Sequence, residues 1–166
     1  MRGTTYPVSG YSVRGLDASV RANGPQWDGA HVWGLVRWRV RWNGRPVERD
    51  GACRLEDVKV LVTVDITLPE WPGARLGARD LRLRWEDFLA SLRVHEYGHR
   101  DRAFLAGAEV HGTLLGVRAE SCLTIAQLAD ARALAVVRRH EELDRAYDRI
   151  SLHGRTQGAV WPPSGP

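Results

Sequence analysis

Lysine is nearly missing from this chain: Lys59 stands alone among 24 basic residues, the rest being arginine. No run approaches the ~18 consecutive apolar residues that a membrane-spanning helix requires, so nothing here is expected to cross a bilayer. The opening residues, Met1-Arg2-Gly3-Thr4-Thr5-Tyr6-Pro7, lack the apolar segment of an export signal. There is no internal repeat and no low-complexity tract, and only two cysteines, Cys53 and Cys122. Disorder, collagen and a disulfide knot are excluded as the organising principle. Two cysteines do not by themselves identify a compartment. Paired, they would close a loop of roughly 70 residues and add ~4 kcal/mol on a chain-entropy argument; free, they would be small core residues.

What is present is ordinary for a globular domain. The 166 residues are 43% hydrophobic and 27% charged, which suits one domain over 1–160 with a tail over 161–166. The net charge of +4 raises the question of nucleic acid. Such binding needs a basic face interleaved with aromatics. Arg37, Arg39 and Arg41 alternate with Trp38 and Trp42, so the two types point to opposite faces of a strand. No nucleic-acid partner is expected.

The periodicity predicts an α+β fold, with strands first and helices after. A short helical segment runs from Ser12 to Asn23, stopped by Gly24-Pro25. His31 to Trp42 alternates as a half-buried strand, with a break expected at Asn43-Gly44-Arg45-Pro46. Asp57 to Leu68 alternates again, with Val58, Val60, Val62, Val64, Ile66 and Leu68 facing inward. The two strands read as a long antiparallel pair with a wide connection. The period then changes to three and four: Trp85, Phe88, Leu92, His95, Glu96, His99, Ala103, Ala106 and Val110 form one stripe of a helix of about 25 residues. Gly112 and Gly116 bracket a break. A second long helix begins near Ser121 or Thr124, with a stripe through Ile125, Ala129, Ala133, Val136, His140, Leu143 and Tyr147. The architecture expected is an antiparallel sheet packed against two long helices.

One segment carries chemistry: His95-Glu96-Tyr97-Gly98-His99. Histidines at i and i+4 sit one above the other on a helix, so both imidazoles can reach one ion. Neutral imidazole is a good zinc ligand. Glu96, rotated by roughly 100°, sits beside the ion rather than on it. Zinc lowers the pKa of a bound water toward ~7, and an adjacent carboxylate can take its proton. Zn2+ is therefore the expected cofactor, with Glu96 as general base.

Catalytic zinc normally has three protein ligands. Glu109 and His111 lie more than two turns beyond His99 on the same helix and cannot bend back. Glu120 stands roughly 15–20 Å along the axis if that helix continues to His111. Asp130 is at a suitable level if the second helix returns antiparallel. Asp148 and His153 lie where no helix fixes their reach. Tyr147 and His140 are possible transition-state donors, with a core role the alternative for each. Asp101 or Asp144 could orient a ligand imidazole, although a solvated helix face is the simpler reading. Trp33, Trp38 and Trp42 are read as core.

These residues together resemble a known family, the bacterial predicted secreted zinc-dependent proteases grouped as domain of unknown function 922. The resemblance runs through Tyr6-Pro7-Val8-Ser9-Gly10, Trp38 and Trp42, Cys53, Leu68-Pro69-Glu70-Trp71, Trp85 and Phe88. It continues through the His95–His99 segment, Cys122, Tyr147-Asp148-Arg149-Ile150-Ser151-Leu152-His153-Gly154 and Gln157-Gly158-Ala159. Ser151 stands where the family pattern has threonine, which keeps the hydroxyl. The resemblance implies a zincin-like metallopeptidase fold and export to the cell envelope, periplasm or exterior. It also implies a Cys53–Cys122 disulfide, a peptide or protein substrate, and a third ligand from the C-terminal motif. Local chemistry agrees with that last implication, because Gly154 frees the backbone to aim His153. The expected ligand set is His95, His99 and His153, with Asp148 either supporting an imidazole or serving as the first alternative ligand, and Glu120 as a further alternative.

Three functions compete at this point. The first is a zinc metalloprotease in which zinc-bound water, activated by Glu96, hydrolyses a peptide bond. The second is a zinc-binding adaptor domain that cuts nothing. The third is a metal-dependent amidase acting on a non-peptide or cell-wall bond. An intact Glu96 favours an enzyme, since a purely binding domain has no need of it.

Overall fold

A computed structural model describes residues 1–162. Its elements are β1 (Arg2–Pro7), α1 (Val13–Asn23), β2 (Gln26–Trp27), β3 (Ala30–His31), β4 (Leu35–Arg49) and β5 (Ala52–Glu70), then α2 (Arg79–Leu115), β6 (Arg118–Ala119) and α3 (Ile125–Ser151). Short 3-10 turns follow β5 and α3. The fold is α+β with three helices: the short segment expected over Ser12–Asn23 forms α1, beside the two long helices α2 and α3. Ser12 caps α1 by accepting from the Gly15 amide at 3.1 Å, and Gly24 closes the helix by donating to the Val20 carbonyl.

The sheet corrects the sequence reading in three places. β4 does not break at Asn43–Pro46 but runs on to Arg49. It lies at the end of the strand order β1-β5-β4, and proline is tolerated on an edge strand because no neighbour needs its missing N–H. The connection to β5 is not wide. Asp50 and Gly51, at φ 53° and 74°, form the two-residue turn with both φ positive that matches strand twist in a hairpin. Finally, β1 pairs with β5 in parallel, Arg2 against Asp65 through Pro7 against Glu70, while β6 pairs with β5 antiparallel. The sheet is mixed. The inward face of β5 moves from odd residues (Cys53, Leu55) to even ones (Val64, Ile66). Asp57 at φ 53° lies at the change, the local conformation of a bulge that shifts facing by one residue.

The described residues form two compact units that interleave in sequence. The first gathers Met1–Arg37, Val64–Arg100 and the chain from Tyr147 onward. Its core holds Tyr6, Val8, Leu16, Val20, Leu81 and Leu92 around an aromatic cluster. Trp33, Trp85, Phe88 and Trp161 meet there with ring centroids 4.9–6.1 Å apart. Trp161, assigned by its proline-rich context to a tail, is only 9% exposed. An indole removes too much apolar surface from water to be left outside when a pocket is at hand. The rest of the expected tail, from Pro163, lies outside the described residues.

The second unit comprises Trp38–Thr63 and Asp101–Ala146. Ala106, Val110 and Leu114 of α2 and Ile125, Ala129 and Ala133 of α3 bury their stripes there with Val40, Cys53 and Leu55. Gly112 does not interrupt α2, which ends only at Leu115. Leu143, expected on the buried stripe of α3, is 51% exposed. Its neighbour Asp144 turns inward instead and accepts a hydrogen bond from Trp38 Nε1 at 3.1 Å. Asp130 accepts from Trp42 Nε1 at 2.8 Å. Both aspartates thus satisfy indoles.

Cys53 and Cys122 are joined by a disulfide, Cα to Cα 5.1 Å, across 69 residues. A loop of that length should contribute ~4 kcal/mol by restricting the unfolded chain. Replacing both cysteines by serine is expected to lower Tm by roughly 8–16 °C, at about 2–4 °C per kcal/mol for a chain of this size. Calorimetry of both forms checks this; a change within the measurement error would show that the bridge does not stabilise the chain.

Candidate metal centre

All residues of the site belong to the first unit. Helix α2 brings His95, Glu96 and His99 to its buried side, each under 8% exposed. The last turn of α3 adds Tyr147 and Asp148, and the turn after it adds Gln157. His95 Nε2 and His99 Nε2 stand 3.3 Å apart. Both face Asp148 Oδ1, at 3.2 Å and 3.1 Å respectively. Three donor atoms thus form a nearly equilateral triangle. Four-coordinate zinc with 2.0–2.1 Å bonds has ligand-to-ligand edges of about 3.3 Å. The triangle therefore fits one face of a zinc tetrahedron.

The hydrogen bonds around the triangle support this fit. His95 Nδ1 lies 3.0 Å from Gln157 Oε1. An amide oxygen only accepts, so Nδ1 carries the proton and a neutral His95 presents its Nε2 lone pair to the triangle. Gln157 is itself oriented, since its Nε2 donates to the Tyr147 hydroxyl at 2.9 Å. The Tyr147 ring stacks on His95 at 5.0 Å and 18° and meets His99 edge-on. Its hydroxyl contacts the His95 carbonyl and Gln157, each at 3.3 Å. These contacts hold the plane of the imidazole.

Burial alone would raise the Asp148 pKa, but the imidazoles of His95 and His99 beside it outweigh burial and hold the carboxyl well below the usual range. The group is an anion directed at two imidazole nitrogens. Glu96 is 4% exposed. Its carboxylate packs against Gly34, where any Cβ would overlap it. Burial and then the Glu96 charge push the Tyr6 phenol well above its ordinary pKa. Tyr6 therefore stays protonated and donates to the Trp33 carbonyl at 2.9 Å, fixing the segment that backs Glu96.

The structure brings together some of the expected ligands and not others. His95, His99 and Asp148 form the one group of three or more such side chains, among the described residues, that could hold an ion. His153 is 77% exposed, with Nδ1 3.6 Å from Asp148 Oδ1. It stands outside the group of three that Asp148 completes. The backbone after α3 does turn, with positive φ at Leu152, His153 and Gly154. The turn lays the Gly154 backbone against the His95 ring, and that leaves the His153 ring directed to solvent. Glu120, exposed just after β6, belongs to the second unit. Glu109 and His140 pair with each other there at 2.9 Å, with Arg139 also on Glu109. The His140 hydrogen bond, with help from Arg139, holds Glu109 below the usual carboxylate range.

Gln157, Tyr6 and Gly34 were not assigned roles from the sequence. Gly98 offered a signal that went unused. A glycine inside a helix costs ~1 kcal/mol relative to alanine, which asks for a reason. A Cβ at Gly98 would overlap the Tyr147 hydroxyl and ring, so this position admits the phenol that stacks on His95.

No curated protein and no solved structure matches the chain. Residues 4–154 match the family described as bacterial protein of unknown function (DUF922), and with that span covered the chain belongs to this family.

Proposed function

We propose that this chain is a zinc-dependent metallopeptidase. The observation that carries the reading is the triangle of His95 Nε2, His99 Nε2 and Asp148 Oδ1 with edges of 3.1–3.3 Å, beside the buried carboxylate of Glu96. These three residues would hold the ion. When bound, zinc supplies Lewis acidity toward a carbonyl oxygen and makes water acidic near neutral pH.

The remaining work falls to the chain's own groups. Glu96 takes a proton from the attacking water and passes it to the leaving amine. Gly34 and the Tyr6–Trp33 hydrogen bond hold that carboxylate in place from behind. Gln157 fixes the tautomer of His95, and Tyr147 fixes its plane. Tyr147 is read as a positioning residue rather than an oxyanion donor, because its hydroxyl is engaged by Gln157 and the His95 carbonyl. His153, beside Asp148 at the surface, supports that carboxylate electrostatically.

A location outside the cytoplasm goes with this reading. The disulfide favours an oxidising compartment, and among the described residues no helix is long and apolar enough to cross a membrane. The test is metal content of the purified chain by mass spectrometry, with cleavage of an unbiased peptide library before and after chelation. One zinc per chain and chelator-sensitive cleavage are expected. A chain that arrives without metal and rejects added zinc would end the proposal. Zinc without cleavage would leave a binding domain.

Gln157→Ala should weaken zinc binding by about 10–100-fold, the usual effect of removing the hydrogen-bond partner of a ligand histidine. Competition with a zinc-chelating dye measures it; unchanged affinity would show that the amide does not orient His95.

A further inference from the structure

Strand β5 has an unpaired stretch of edge. On the side away from β4, β6 pairs only with Cys53 and Arg54, and β1 pairs only from Asp65 onward. Among the described residues no strand pairs with that side between Leu55 and Thr63. An extended strand presents alternate N–H and C=O groups along such an edge, which is a template for another strand.

A groove of about 510 Å³ runs along the same stretch, lined by Val58, Val60, Val62, Gly107, Ala108 and His111. Lys59 lines it as well. Successive residues of a strand point to opposite faces, so a groove touched by Val58, Lys59 and Val60 follows the edge rather than either face. Its far wall is α2, whose outward side continues with Phe104 at 45% and Leu105 at 62% exposure. The outer edge of β4 is unlike this one. It carries Pro46, which has no N–H to offer a guest strand.

We propose that this edge takes up an extended segment of another polypeptide, which adds as a strand to β5 between Leu55 and Thr63. Backbone hydrogen bonds would supply affinity, and alternate side chains would enter the groove. The groove walls ask for apolar residues at every second position. On the other face, Asp57 is already paired with Arg45 at 3.1 Å, which leaves Lys59 as the charge beside the guest. The segment therefore carries a carboxylate opposite Lys59. The same lysine discourages self-association, because two copies paired here would bring like charges together. This inference stands on the second unit alone and does not depend on zinc or hydrolysis.

The test uses the full chain and a capped eight-residue peptide that alternates valine with threonine, one central threonine replaced by aspartate. Backbone hydrogen exchange is followed residue by residue, and the peptide is checked intact by mass. Without peptide, the groove-side amides between Leu55 and Thr63 should exchange fast while those bonded to β4 are protected. Saturating peptide should slow the groove-side amides at least ten-fold. The same peptide N-methylated on its pairing edge should not. Lys59→Glu should weaken the aspartate peptide about three-fold and strengthen a lysine counterpart, the size expected of one exposed cross-strand ion pair. No slowing at millimolar peptide would overturn the proposal. Equal slowing by the N-methylated peptide would overturn strand addition. Protection that appears without peptide and grows with protein concentration would assign the edge to a second copy instead. Indifference to Lys59→Glu would overturn the acidic requirement.

Discussion

Glu96→Gln should keep its zinc and lose peptide hydrolysis by about 10²–10⁴-fold, the usual contribution of a positioned general base. Glutamine keeps the shape that packs against Gly34, so the fold and the ligand triangle should persist. It cannot take a proton from water. The same metal content in both proteins, with cleavage confined to the wild type, is the result to look for. Cleavage at the wild-type rate in the variant would mean that another group serves as base. Loss of zinc in the variant would mean that Glu96 belongs to the ligand set.

The second large effect separates two residues five apart. Asp148→Ala should lower zinc affinity by more than ~100-fold, since removing an outer partner of a ligand already costs 10–100-fold. His153→Ala should keep one zinc per chain, because its ring is 77% exposed and reaches Asp148 only at 3.6 Å. Titration with a chelating competitor compares the two directly. The opposite ranking would restore the three-histidine site.

The contrast shows where sequence reasoning reaches and where it stops. The stripe of α2 was legible to the residue, because a period of 3.6 leaves no choice about which side chains share a face. That is why His95, Glu96 and His99 could be placed before any coordinates. Residues 147–157 have no period. There three successive positive-φ residues decide which group meets His95, and nothing local says whether a backbone or a ring will face inward. The hairpin was missed for a related reason. Asn43-Gly44 and Asp50-Gly51 carry the same kind of turn signal. The chain turns at the second because Pro46 on an edge strand forfeits no pairing. Trp161 reads as tail because its proline-rich neighbours resemble a loose end, whereas its partners Trp33, Trp85 and Phe88 lie far back in the sequence.

The order in which the site's parts occur along the chain has a consequence for biosynthesis. His95 and His99 leave the ribosome early, while Asp148 and Gln157 follow 49 and 58 residues after His99. At 5–20 residues per second, roughly 3–12 s separate the first half of the centre from the last. Throughout that interval two histidines on a nascent helix have neither their carboxylate nor the amide that orients them. If the zinc reading holds, a chain exported before it folds would acquire the ion only at its destination. On the proposed reading, a fragment that stops at Ala146 carries the whole His95–His99 motif, lacks Asp148 and Gln157, and is expected to hold no zinc.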